Sequence, residues 1–177
     1  MTRIVGASTV LLFAAALGAP ACGYHVGGQA DLIPKSIKTI AIPAFRNGSV
    51  RYQIAGLLAA DVTREFHSRT RYVIVDDPSQ ADAVLTGSVV NFATLGGTTT
   101  DPVTGRATSA QVILTLQITL TDRHTGKDLF ARTGFEFRER YEIAKDLTAY
   151  FDESGTALKR VSRDAARSVV SAILEAF

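Results

Sequence analysis

Cysteine is almost missing from this chain of 177 residues, where Cys22 stands alone. One thiol forms no internal disulfide, no Cys-x-x-Cys redox pair and no multi-thiolate zinc site. Histidine is nearly as scarce. His25, His67 and His124 fall in a polar N-terminal stretch, on the exposed side of an expected helix and in an expected turn, so no pair stands at metal-ligand spacing. Tryptophan is absent. Neither spacing of glycine-rich phosphate loop occurs, and there is no Gly-x-Ser-x-Gly nucleophile elbow. Asp76 and Asp77 are adjacent carboxylates, but neighbours on a strand point to opposite faces, and the following Pro78 predicts a turn. Charge of one sign is also lacking. Nineteen basic and 17 acidic residues leave a net charge of +2, which gives no ground for a nucleic-acid partner. These absences point away from catalysis and predict no catalytic residue, no metal ligand and no cofactor.

A long apolar run is lacking too. The longest begins at Ile4 and ends at Leu17, short of the ~20 residues a membrane-spanning helix requires. With Arg3 before it and Ala19-Pro20-Ala21 after it, the run reads as a signal peptide over residues 1–21. Ala19-Pro20-Ala21 fits ordinary small-x-small cleavage. The same residues before Cys22 also resemble a bacterial lipobox, although Ala19 stands where Leu is usual and Pro20 is atypical. A free thiol is a liability in an oxidising compartment, and a thioether to lipid removes it. Cys22 is therefore the expected lipidation site, with residues 22–36 as lipidated N-terminus and linker. In the lipoprotein resemblance, Gly23 permits outer-membrane sorting.

Residues 37–177 read as a single domain. Ile37 to Ile42 is a β-branched strand ended by Pro43, and Asn47-Gly48 marks a turn. Ile54, Leu57, Leu58, Val62 and Phe66 predict an amphipathic helix over about Tyr52–Ser68. A strand at Tyr72–Val75 completes a βαβ unit with parallel strands. A strand from Ala83 has mixed faces. Gly96 to Arg106 is expected to be the exposed, mobile tip of a long hairpin. Val112, Leu114, Leu116, Ile118 and Leu120 alternate with polar residues, a half-buried strand. Its hairpin partner places Leu129, Ala131, Thr133, Phe135 and Phe137 on one face and Arg132, Glu136, Arg138 and Arg140 on the other. A polar connection through Gly155 precedes a last helix, with Ser154 or Thr156 as its cap. The expected fold is α+β, an α/β two-layer sandwich. It has a mixed sheet of four to five strands, two helices on one face and the order β-α-β-β-β-β-α.

Arg132, Arg138 and Arg140 are the candidate binding residues. They fit either a solvated face laced with weak ion pairs or a surface that receives anionic groups, because guanidinium forks suit phosphate and carboxylate.

Several blocks together resemble the LptE family of lipopolysaccharide-assembly lipoproteins. They are Cys22-Gly23-Tyr24-His25, the strand Ile37 to Phe45 containing Pro43, the block Ala81-Asp82-Ala83-Val84-Leu85-Thr86-Gly87, and Tyr150 to Leu158. The resemblance implies a non-enzymatic outer-membrane lipoprotein, held on the periplasmic side by lipid, palmitate included, on Cys22. It implies a plug for the LptD β-barrel that aids barrel assembly and binds lipopolysaccharide, a role that would suit Arg132, Arg138 and Arg140. The alternative is another periplasmic lipoprotein module of TolB-N-like or CsgG-like type, whose start is similar.

Overall fold

The structure, a computed structural model, describes residues 33–34, 36–97, 99–143 and 147–176, with backbone alone over 147–154. Strand β1 (Thr39–Ala41) lies between β3 (Val73–Val75) and β4 (Ala83–Gly96) and runs parallel to both. Helix α1 (Gln53–Arg69) connects β1 to β3, which forms the expected βαβ unit. Pro43 has no N–H to give a ladder, and β1 stops just before it. The chain then rejoins β4 further along as the two-residue strand β2 (Arg46–Asn47), opposite Ser88 and Val89. Asn47 Oδ1 accepts from the Ser49 amide at 2.9 Å and from its hydroxyl at 2.7 Å, so the Asn-Gly turn begins one strand later than expected.

Strands β5 (Ser109–Asp122) and β6 (Asp128–Glu142) extend the sheet by antiparallel pairing. The order across the sheet is β3-β1-β4-β5-β6, with β2 beside β4, so there are six strands rather than four to five. Both helices cover one face. In β5 the alternate residues Val112, Leu114, Leu116, Ile118 and Leu120 are all buried toward them, as the period of two predicts.

Three irregularities decide which side chains face the helices. In β4 the register shifts between Val89 and Asn91, so Val90 is an extra residue. Ala83, Leu85 and Val89 point into the core, and beyond the bulge Phe92 does. The mixed faces read in this strand are one continuous face broken by a bulge. In β6 the pairs Leu116–Phe135 and Ile118–Arg132 set Thr133 and Gly134 against Gln117 alone, one residue more than the partner strand has, and Gly134 takes φ +65°. Ala131, opposite Thr119, therefore does not share a face with Phe135 and Phe137, which stand opposite Leu116 and Leu114. A third shift, between the pairs Leu120–Phe130 and Thr121–Asp128, leaves Leu129 as an extra residue, and Leu129 packs against the core. The expected unbroken alternation along β6 is wrong, because Gly134 reaches a left-handed conformation closed to most side chains and re-phases the strand.

Helix α1 follows its periodicity: Ile54, Leu58, Val62 and Phe66 recur every fourth residue and are fully buried. Helix α2 (Leu147–Glu175) is longer than expected and passes through residues 154–156, where a start was expected. A glycine in a helix interior costs about 1 kcal/mol relative to alanine, and α2 accommodates it at Gly155. Val161, Ala165, Val169 and Ile173 bury the α2 stripe. The helices also share a polar contact: the fully buried Ser162 hydroxyl donates to Asp61 Oδ2 at 2.7 Å, and Arg64 meets Asp61 Oδ1 at 2.5 Å. Ile33, within the stretch read as linker, packs into the core.

Candidate functional site

Two local devices fix the β1–β4 corner from which the open sheet face extends. Asp82 Oδ2 accepts from the amides of Lys38 at 2.8 Å and Thr39 at 2.9 Å, and from the Thr39 hydroxyl at 2.9 Å. His124 Nε2 stands 3.2 Å from Asp82 Oδ1. These contacts, the Lys38 amide first, hold the Asp82 carboxyl well below the usual carboxylate range. Gly87 is required for space: a Cβ there would lie 2.5 Å from the Phe45 ring. The Ala-Asp-Ala-Val-Leu-Thr-Gly block thus locks Lys38–Phe45 onto β4 at two points, a structural rather than a chemical role.

The face of the sheet away from the helices is polar and open. After the Gly134 bulge, Glu136, Arg138 and Arg140 stand opposite Thr115, Ile113 and Gln111 of β5. In turn Asn91, Ala93 and Leu95 of β4 stand opposite Thr115, Ile113 and Gln111. The Arg138 side chain is 59% exposed, and its Nε donates to Glu136 Oε1 at 2.7 Å. Arg140 Nη2 donates to Thr99 Oγ1 at 3.3 Å.

Arg132 does not belong with them. It pairs with Ile118, whose side chain is buried toward the helices, and its guanidinium stacks 3.9 Å from the Phe135 ring centroid. The expectation that Arg132, Arg138 and Arg140 share a strand face is corrected by the same bulge. Arg138 and Arg140 are brought together and Arg132 is turned to the other side, where it makes a cation–π contact.

Arg140 also lines an open cleft of about 690 Å³ where the β4–β5 hairpin meets the end of β6. Asp101, Arg106, Ser109 and Glu142 share its lining. Read from composition as a mobile tip, this loop carries a defined set of bonds. Asp101 Oδ1 accepts from the amides of Val103 at 2.8 Å and Thr104 at 3.0 Å, and the Asp101 amide donates to the Arg106 carbonyl at 2.9 Å. The Thr104 and Val103 amides lower the Asp101 pKa. The Ile143 amide donates to the Thr108 carbonyl at 2.8 Å, which ties the loop to the end of β6. Arg106 was not singled out from the sequence. Its place beside Arg140 depends on this loop folding back, which no periodicity encodes.

Two guanidinium groups near a cluster of hydroxyls can receive oxyanions, but the arrangement offers no nucleophile–base pair. Asp77, half of the adjacent carboxylate pair, is taken up by its turn: its side chain accepts from the Ser79 hydroxyl at 2.7 Å and the Ser79 amide at 2.8 Å, which lowers its pKa. Among the described residues no three His, Cys, Asp or Glu side chains group to hold a metal. No helix among them is long and apolar enough to cross a membrane. Cys22 and the apolar segment before it lie outside the described residues.

The fold has solved counterparts. Rare lipoprotein B of Shewanella oneidensis is 16% identical, covering 77% of this chain and 94% of that one with a TM-score of 0.51. An uncharacterised lipoprotein B of Nitrosomonas europaea is 14% identical, covering 78% and 88% with a TM-score of 0.55. A PelC dodecamer of Paraburkholderia phytofirmans is 15% identical per chain, covering 78% and 87% with a TM-score of 0.51. At these identities the likeness shows the fold alone. No curated protein matches the chain. The model of the LptE family, described as lipopolysaccharide-assembly, matches residues 37–173, from the turn before β1 to the last turns of α2. That span takes in the Asp82 lock, the Gly87–Phe45 contact and both helices, and the chain belongs to the LptE lipopolysaccharide-assembly family.

Proposed function

We propose that this protein is a non-enzymatic, lipid-anchored subunit of the outer-membrane machinery that assembles lipopolysaccharide at the cell surface. In this reading Cys22 carries the lipid and holds the domain on the periplasmic side of the outer membrane. The domain seats in an LptD-type β-barrel and helps it assemble, and it binds lipopolysaccharide. The family match over residues 37–173 carries the reading. The open, polar sheet face supports it, since a barrel lumen is polar and water-filled. The exposed Arg138 and Arg140, with Arg106 at the cleft, supply donors suited to glycolipid phosphates and carboxylates. Arg132 supports binding less well, being turned toward the helix side and stacked on Phe135.

The test is affinity purification of the tagged full chain from outer membranes. It should recover a large β-barrel protein together with lipopolysaccharide. In Arg138→Glu/Arg140→Glu, retained lipopolysaccharide should fall by about tenfold or more, since a lost charge-assisted hydrogen bond costs about 1.5–3 kcal/mol. Arg132→Glu should retain most of it. Recovery of small periplasmic proteins without a barrel sinks the proposal.

A further inference from the structure

The outer side of the helix layer, away from the sheet, carries a groove of about 440 Å³ between α1 and α2. Lys159, Arg163 and Arg167 form its α2 wall, and Leu57, Asp61, Arg64 and Glu65 line the α1 side. The three α2 cations stand four residues apart and so make one straight row on a single helix face. Like charges at that spacing repel and weaken a helix. The carboxylates across the groove do not neutralise the row. Asp61 is buried and held by Ser162 and Arg64. Among the described residues Glu65 pairs with Arg167 alone, at 3.6 Å, and Arg167 also meets Asp164, at 3.7 Å. Among the described residues, Lys159 and Arg163 have no carboxylate within 4.0 Å. Four cations against two carboxylates give the lining a formal charge of +2, equal to that of the whole chain, +2.

We propose that this groove docks an extended acidic segment of a partner polypeptide, with carboxylates on alternate residues. The spacing carries the assignment. Four residues of helix advance ~6 Å. Same-side residues of an extended strand recur every ~6.6 Å. Successive carboxylates of such a segment therefore meet Lys159, Arg163 and Arg167 in step, while the half-buried Leu57 offers an apolar contact. The arrangement disfavours a compact, multiply charged anion such as a phosphorylated head group, because Glu65 and Asp61 stand on the facing wall. A linear chain keeps its charge along the cationic wall alone. The groove lies on the opposite layer from Arg138 and Arg140, so it does not depend on the proposed glycolipid role.

The experiment is fluorescence anisotropy of the detergent-solubilised full chain at low ionic strength. The probe is a fluorescein-labelled nonapeptide with glutamate at alternate positions and threonine between. Binding should saturate, weaken as salt is raised, and weaken by about tenfold or more in Lys159→Glu/Arg163→Glu. Lys159→Gln/Arg163→Gln should give an intermediate loss, and it carries the test should the charge reversals disturb the helical spectrum. Arg138→Glu/Arg140→Glu should bind the peptide as the parent does. An isomeric peptide with its glutamates in one block should bind more weakly. Absence of saturable binding, an equal loss in the sheet-face variant, or equal affinity for the block peptide would each overturn the proposal.

Discussion

Asp82 is the residue on which the β1–β4 corner turns. Its folded pKa lies below the ordinary value of 3.8 because the Lys38 and Thr39 amides hold the carboxylate. A depressed folded pKa contributes stability that is complete above the unfolded value and lost as pH falls through the folded one. Stability to urea should therefore hold down to about pH 4 and decline between there and about pH 2. Asp82→Asn should start lower and show a shallower decline, read from urea midpoints across that range. Asp82→Ala, which strands two strand-edge amides, should cost about 2 kcal/mol at neutral pH. Gly87 makes the complementary point with sterics. A methyl group at that position meets the buried Phe45 ring at 2.5 Å, so Gly87→Ala should lower the urea midpoint by about 1–3 kcal/mol of stability. Gly87→Ala combined with Phe45→Leu should recover part of that loss.

At the level of elements, the helix pair is held by Asp61 and Ser162 as well as by apolar packing. Ser162→Ala removes the buried donor at 2.7 Å from Asp61 and should destabilise by about 1–3 kcal/mol, whereas Asp61→Leu/Ser162→Ala should be closer to neutral. Thermal unfolding of the two variants checks this. Helix α1 and strand β5 were legible in the sequence because one face of each is buried along its whole length, so period and burial coincide. The final helix was legible from about Thr156 onward and not in its first turns, since Ser154 and Gly155 resemble a start and the helix runs through them. Strands β4 and β6 were legible as strands but not as faces. β4 holds an extra residue at Val90, and β6 holds one at Gly134 and another at Leu129, and a period of two read across a bulge inverts the assignments beyond it. The candidate site inherited that error. Arg138 and Arg140 share a strand face as expected and Arg132 does not, while Arg106 reaches the cleft beside Arg140 only through the folded-back hairpin.

Across the whole molecule the two layers offer different chemistry. The sheet face is open, hydroxyl-rich and carries Arg46, Arg138 and Arg140, while the helix face carries a cationic row. In the proposed reading, a domain with two usable faces and an N-terminal tether suits a position between partners, and the tether is the lipid on Cys22. Cys22→Ser should shift the protein from the membrane pellet to the soluble periplasmic fraction when the barrel is depleted. With the barrel present, part should stay in the pellet. Fractionation of both backgrounds separates lipid anchorage from partner anchorage.

Strand β6 is also the outer margin of the sheet, 15 residues long, with no described strand beyond it. A margin of that length would offer a continuous ladder of free amides and carbonyls to any extended chain, its own copies included. The irregularities at Gly134 and Leu129 divide it into shorter runs, and the pleats on the two sides of Gly134 are out of phase, so a foreign strand that matches one run mismatches the next. Straightening β6, for example by deleting Gly134, would then do more than move Arg132. It would open a long template for fibrous self-association, and light scattering of the concentrated variant at neutral pH would register it.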